Sequence, residues 1–374
     1  MLVAVLCLAA PAFGAPAAGS GLSFSGSADT TLTGRVASGG LSGEDDGEFS
    51  YGFEEYANLR LRARVGERGT FHGAVNFIAA AGSPVAASAA AGNSAFASGE
   101  NYAATVEPER LYLRIEGDAF DLESGLMRLA FGYGQAWSPS DFLSERNPLR
   151  PDARPRGLLA FAATAYPTDE WKLKAFSAAG SDPEQVDGDG GLFGASADFH
   201  SDIGSVQALY AWEAGEGGAG AEGIHRIGLS LKADVEVGLA LDALYAAEDG
   251  REGLDGLGAA VGVDYSFLDG DLYTLAQYLY NGGGPASGLD LFQTHYLYGS
   301  LLYRIDDYTS ASLDAAVSLE DGSLSPALTL VHEPFQGLSL SLSARVPIGD
   351  GGGEFGPTAT GTRVLVTGKI KAKF

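Results

Sequence analysis

Cysteine is almost missing from this chain. Cys7 is the only one in 374 residues, which excludes a disulfide framework and a cysteine-built metal site. Positive charge is scarce as well. Only 23 lysines and arginines stand against 48 acidic residues, a net charge of -25, and that balance argues against general nucleic-acid binding. No segment offers the roughly 18 consecutive apolar residues of a membrane-spanning helix. The 54 glycines show no Gly-X-Y period, so the chain is not collagen-like. Proline, at 15 residues, is too modest for a low-complexity linker protein. Hydrophobic residues make up 45%, enough to bury a core and too many for a disordered acidic chain.

The N-terminus reads as an export signal. Residues 2–13, LVAVLCLAAPAF, form a short apolar stretch, and Ala12-Phe13-Gly14 supplies the small-residue pattern of a cleavage site. The expected division is a signal peptide over 1–14 and a single domain over 15–374. Cys7 would leave with the signal, and a cysteine-free mature chain suits an oxidising compartment.

Beyond the signal, the recurring feature is period-two alternation in pieces of about ten residues, cut by Gly, Asp, Asn and Ser. Strands are expected near 21–36, 49–65, 70–79, 106–116, 120–134, 157–166, 170–179, 191–200 and 204–213. Nine more are expected near 224–233, 235–247, 256–267, 271–281, 293–305, 309–319, 323–332, 337–347 and 362–374. Their connections alternate between short turns, such as Gly117-Asp118 and Asp306-Asp307, and long loops, such as 80–105 and 134–156. The connection at 320–323 breaks the rule by being short where a long one is expected. The fold class is therefore all-β: a transmembrane antiparallel up-and-down β-barrel of about 18 strands, with 16 as the alternative, short periplasmic turns and long external loops.

Charge placement supports a barrel with a polar interior. Seventeen basic residues fall within these strands, on the less apolar face: Arg35, Arg60, Arg62, Arg64, Arg110, Arg114, Arg128, Lys172, Lys174, Arg226, Lys232, Arg304, Arg345, Arg363, Lys369, Lys371 and Lys373. Acidic residues expected on that face are Asp29, Glu54, Asp198, Glu236, Asp242, Asp264 and Asp314. The excess predicts a mild anion preference. Aromatic residues cluster beside the short turns (Phe71, Phe120, Trp171 and Tyr273 among them) and near the outer ends (Tyr51, Tyr133, Trp212 and Tyr296), as two headgroup-level girdles would require. The strand at 271–281 has no clear register, because Gln277 spoils one choice and Thr274 the other.

Taken together, the signal, the alternating strands and the last strand ending GKIKAKF resemble Gram-negative outer-membrane porins over about 20–374. The resemblance implies residence in the outer membrane, contact with its lipid, and passive diffusion of small hydrophilic solutes. In that family a C-terminal aromatic, here Phe374, is read by the barrel-assembly machinery. It also implies that the third external loop, 134–156, folds inward as a constriction carrying Asp141, Glu145, Arg146, Arg150, Arg154 and Arg156. The basic residues Arg60, Arg62, Arg64, Arg110, Arg114, Arg128, Lys369 and Lys371 would line the pore. Monomer and homotrimer both stay open.

Other classes find less support. The histidines at 72, 200, 225, 295 and 332 are dispersed, and neither G-x-S-x-G nor H-E-x-x-H occurs. No enzyme and no cofactor are therefore expected, and a barrel hydrolase is a distant third reading. A non-transporting surface barrel, adhesin or structural, is the main alternative. No nucleotide-phosphate loop or EF-hand appears, and acidic clusters such as Glu44-Asp45-Asp46 read as solvated loops.

Overall fold

The computed structural model describes residues 21–37, 48–82, 95–144, 148, 157–179, 191–214, 223–247, 253–283, 289, 291–357 and 362–374. The expected signal peptide lies outside the described residues, as do Glu145, Arg146, Arg150, Arg154 and Arg156.

Described in chain order, the strands begin with β1 (Leu22–Ala37), β2 (Glu48–Val65), β3 (Gly69–Ala81), β4 (Ala95–Gly99), β5 (Tyr102–Glu116) and β6 (Phe120–Met127). β7 (Leu158–Ala165), β8 (Trp171–Ala178), β9 (Leu192–Ser201), β10 (Gly204–Glu213), β11 (Ile224–Asp234) and β12 (Gly238–Ala247) follow. The rest are β13 (Leu257–Phe267), β14 (Leu272–Asn281), β15 (His295–Arg304), β16 (Thr309–Ser318), β17 (Leu324–Phe335), β18 (Leu338–Arg345) and β19 (Thr362–Lys373). Each pairs antiparallel with its neighbours, and β1 pairs with β19, so the sheet closes into an 18-strand barrel. The short β4 pairs with β5 alone and stands outside the count; it falls within the region expected to be a loop, 80–105.

One expected strand is too long. The alternation through 120–134 suggests an unbroken strand, yet β6 stops at Met127 and the chain leaves the wall. The physical reason is that Met127, Leu129 and Phe131 keep their alternation while packing inside the barrel, against Leu158, Phe176, Leu192 and Leu209. Arg128 is thus the first residue of an inward segment and not a strand residue. The short connection at 320–323 is a tight turn, with Gly322 donating its N–H to the Ser318 carbonyl.

Pairing settles the faces. Asp264 sits opposite Leu275, and Gly262 opposite Gln277, which puts Gln277 inside and Thr274 outside. The outward face carries exposed Leu159, Phe161, Leu229, Val261, Val263, Leu301, Leu328 and Leu342. Such a surface is stable only against hydrocarbon. Of the aromatics expected in the girdles, Tyr296 is fully buried on the inner face, and Tyr273 bonds to Gln135 in the inward segment. Tyr133 belongs to the inward segment itself.

The seam between β1 and β19 is sealed by Phe374. Its N–H and C=O exchange hydrogen bonds with Gly26 at 3.0 and 2.8 Å. The ring lies over Gly26, where a Cβ would come within 2.8 Å of it. Only glycine leaves that space, so the Phe374 ring fits beside Phe24, Leu59 and Phe71.

Val261→Arg, near the middle of the outer face of β13, is expected to destabilise the folded barrel by about 2–4 kcal/mol. Reversible denaturant unfolding in lipid vesicles measures it, and an unchanged midpoint would contradict a lipid-facing position.

Candidate functional site

Residues 128–144 lie inside the barrel against one side of its wall. They run from the end of β6 across the inner faces of β8 to β15, held by polar side chains that rise from the wall. Gly132 donates its N–H to Gln207 Oε1 at 2.7 Å. Gln277 Oε1 accepts from the N–H groups of Ala136 and Trp137 at 2.8 and 2.9 Å, while its Nε2 donates to the Trp137 carbonyl at 2.8 Å. Gln135 Nε2 donates to Asp264.

Asp242 is the principal pin. Fully buried on β12, it accepts six hydrogen bonds: from the N–H groups of Tyr133, Gly134 and Ser140 and from the hydroxyls of Ser138, Ser140 and Ser230. A buried carboxylate without partners would cost several kcal/mol; here donors surround it. Gly132 makes the approach possible. Its φ is +78°, and a Cβ there would collide with Asp242 Oδ2 and with the Ser138 and Ser140 hydroxyls. Asp141 closes the turn by accepting from Phe131 N–H at 3.0 Å. Arg128 donates from Nε to Ser144 Oγ at 3.2 Å.

The apolar side of the segment seats on apolar wall positions, among them Ala160, Ala162, Ala211 and Leu244. Those residues face the lumen, where an aqueous channel needs polar ones. This was the available sequence signal: β7 reads LLAFAATA, apolar on both faces apart from Thr164, and β12 reads LALDALYAA, where Asp242 alone interrupts apolar residues. Gln207, Ser230 and Gln277 carry no such signal, because a polar residue on the inner face is what any wet barrel shows.

The tip of the segment also reaches the external connections. Trp137 packs against Tyr296, with ring centroids 5.9 Å apart, and Tyr296 against Phe355 at 5.7 Å. Glu354 Oε2 accepts from Tyr296 Oη at 3.1 Å and from Phe292 N–H at 2.9 Å. The Glu354 N–H in turn donates to Asp321 Oδ2 at 2.7 Å. Burial works to raise the Asp321 carboxyl, but the Ser323 hydroxyl and the N–H groups of Glu354 and Ser323 outweigh it and hold it at about 2. Burial pushes Glu354 the other way, above the ordinary carboxylate range.

Across the barrel from β12 and β13 stand β2 and β3. There the register puts Arg60, Arg62 and Arg64 of β2, Arg110 and Arg114 of β5, and Lys369 and Lys371 of β19 on the inner face. Because β19, β1, β2, β3 and β5 are consecutive neighbours, these residues share one wall. Lys371 lies 3.5 Å from Asp29, and Arg114 2.6 Å from Asp121. Among the described residues, Arg62 and Arg64 have no acidic partner. The inner face also carries Glu107, Asp121, Glu123, Glu213 and Asp234, which the sequence reading does not assign there, while Glu236 falls in a turn. The positive excess is therefore smaller overall than seventeen to seven and concentrated on this wall. Asp242 and Asp264 oppose it.

Two measurements follow from this geometry. Asp242→Ala strands the donors that hold 132–140, so limited proteolysis is expected to cut that segment in the folded variant while leaving the parent intact; equal resistance would remove Asp242 as the pin. A depressed carboxyl contributes its full stability above its unfolded value of 3.8 and loses it progressively as pH falls from there through about 2, where the folded group itself takes up the proton. Amide exchange at Glu354 should therefore stay slow at pH 3 and quicken in Asp321→Ala at pH 3 and 7 alike. Fast exchange in the parent at pH 3 would contradict the tie.

No protein-family profile matches this sequence, and no curated protein does. Solved structures do resemble the fold. A BenF-like porin from Pseudomonas fluorescens Pf-5 superposes with TM-score 0.57 at 9% identity, covering 94% of this chain and 98% of that one. OccAB4 of Acinetobacter baumannii gives 0.55 at 10%, covering 94% and 98%. Wzi of Escherichia coli, described as a carbohydrate-binding β-barrel involved in capsule assembly, gives 0.55 at 12%, covering 99% and 88%. At these identities the likeness speaks for the fold, and the chain has the fold of the outer-membrane porins.

Proposed function

We propose that this barrel is an outer-membrane channel for passive diffusion of small hydrophilic solutes, narrowed by residues 128–144 and mildly anion-preferring. The observation that carries this reading is a segment pinned by buried polar groups to one side of an 18-strand lumen, facing a basic wall. A barrel of this size holds an aqueous interior. A segment attached along one side narrows that interior without plugging it. Arg60, Arg62, Arg64, Arg110, Arg114, Lys369 and Lys371 line the basic side of the pathway, Arg128 sits at the root of the constriction, and Asp141 is part of its frame. Opposite charges on facing walls set a transverse field, and the excess of arginine and lysine favours anions. No enzymatic step is assigned.

The likeness to Wzi supports a second reading, a surface barrel that binds without conducting. Purified folded protein in planar bilayers separates the two. Stepwise conductance and a reversal potential of anion-preferring sign in a KCl gradient are expected. Clear cation preference would overturn the selectivity, and folded protein without conductance steps would favour the second reading.

A further inference from the structure

The basic wall contains a cavity of about 240 Å³ near the periplasmic end of β2. Its shape follows from side-chain sizes along two rows that cross the strands. One row runs Ser25, Arg60, Ala74, Arg110; the next runs Ser23, Arg62, His72, Tyr112. Ala74 stands between two arginines. With strands about 4.8 Å apart, the flanking Cα positions are about 10 Å apart, and the small methyl group leaves a gap between the guanidinium groups. His72 and Tyr112, stacked with centroids 4.8 Å apart and planes at 8°, make one flat side.

The two arginines beside the gap are fixed from behind. Arg60 Nε donates to Asn58 Oδ1 at 2.6 Å. Asn58, 1% exposed, donates from Nδ2 to Glu109 Oε2 at 2.7 Å and to Asn76 Oδ1 at 2.6 Å. Glu109 Oε1 lies 3.1 Å from Arg110 Nε. Glu109 occupies the bulge where β5 changes register opposite Ala74 and Val75, so its carboxylate reaches both. A single cluster thereby holds Arg60 by its Nε and sets the Glu109 carboxylate beside Arg110, and both arginines line the cavity together with Glu109. Arginine held in this way matches the two oxygens of a planar or tetrahedral oxyanion. Arg62, which has no acidic partner among the described residues, adds a third positive charge, and Ser25 adds a hydroxyl.

We propose that this cavity is a saturable binding subsite for a small oxyanion, a carboxylate or phosphate group of a solute crossing the barrel. Arg60 and Arg110 clamp the group, Arg62 contributes charge, and Asn58 and Glu109 are positioning residues. This inference rests on the channel reading only for the ligand's route to the site, because binding is measured on folded protein in detergent and needs no conduction.

Isothermal titration with succinate and, separately, inorganic phosphate tests it. Saturable binding by the parent is expected with at least one of the two, and the stronger identifies the group preferred. Ala74→Leu fills the gap and leaves every charge in place; it should weaken binding at least about tenfold, the loss of one good charge-assisted contact. The Arg60→Gln, Arg110→Gln double variant should do the same, and Arg304→Gln, on β15, should bind like the parent. Heat-modifiable gel mobility confirms that each variant is folded. No saturable binding of either probe, or Ala74→Leu binding as the parent does, would overturn the subsite. Conductance that persists in either case would leave the channel itself standing.

Discussion

Hydrocarbon offers nothing to a backbone N–H or C=O, and that lack governs this molecule. A strand in a membrane has to satisfy its main chain through its neighbours, so a sheet there has to close. The pairing of β1 with β19 provides the closure. Once the sheet is closed, every strand has one face against lipid and one around the lumen, and the two-residue side-chain period becomes a map of inside and outside. The inward lysines and arginines, the outward leucines and the sequence alternation share this single cause.

Within the closed wall a second problem arises. A chain segment that enters the lumen brings its own unpaired main-chain groups. Residues 128–144 solve it with side chains from the wall: Asp242, Gln207 and Gln277 accept from successive N–H groups. Buried polar networks are costly when incomplete and rigid when complete. The same residues that satisfy the segment therefore fix its position on the side of the barrel opposite the basic wall.

Most of the barrel could be read from the sequence because its signal is repeated and local. Each strand alternates, and each turn carries its own Gly or Asp. The register of β14 could not be read, since Gln277 looks wrong on either face until its partner at 136–137 is known. The end of β6 was hidden for the opposite reason. Met127, Leu129 and Phe131 keep a strand's alternation, but the apolar surface they bury against belongs to β7 to β10, far along the chain. The basic wall was visible residue by residue. The cavity within it was not, because Ala74 gains meaning only from the arginines that two neighbouring strands place beside it.

The seam has a consequence for how the barrel comes into being. Ser27 pairs with Lys373, so the contact that completes the sheet joins opposite ends of the chain. Apart from β3 with β5, which brackets the short β4, every other strand pairing is between sequence neighbours and can form locally and early. Closure cannot. Until the last strand is made, the growing sheet carries two open edges, each able to recruit a foreign strand. Phe374, resting on Gly26, lies at the seam where those two edges meet.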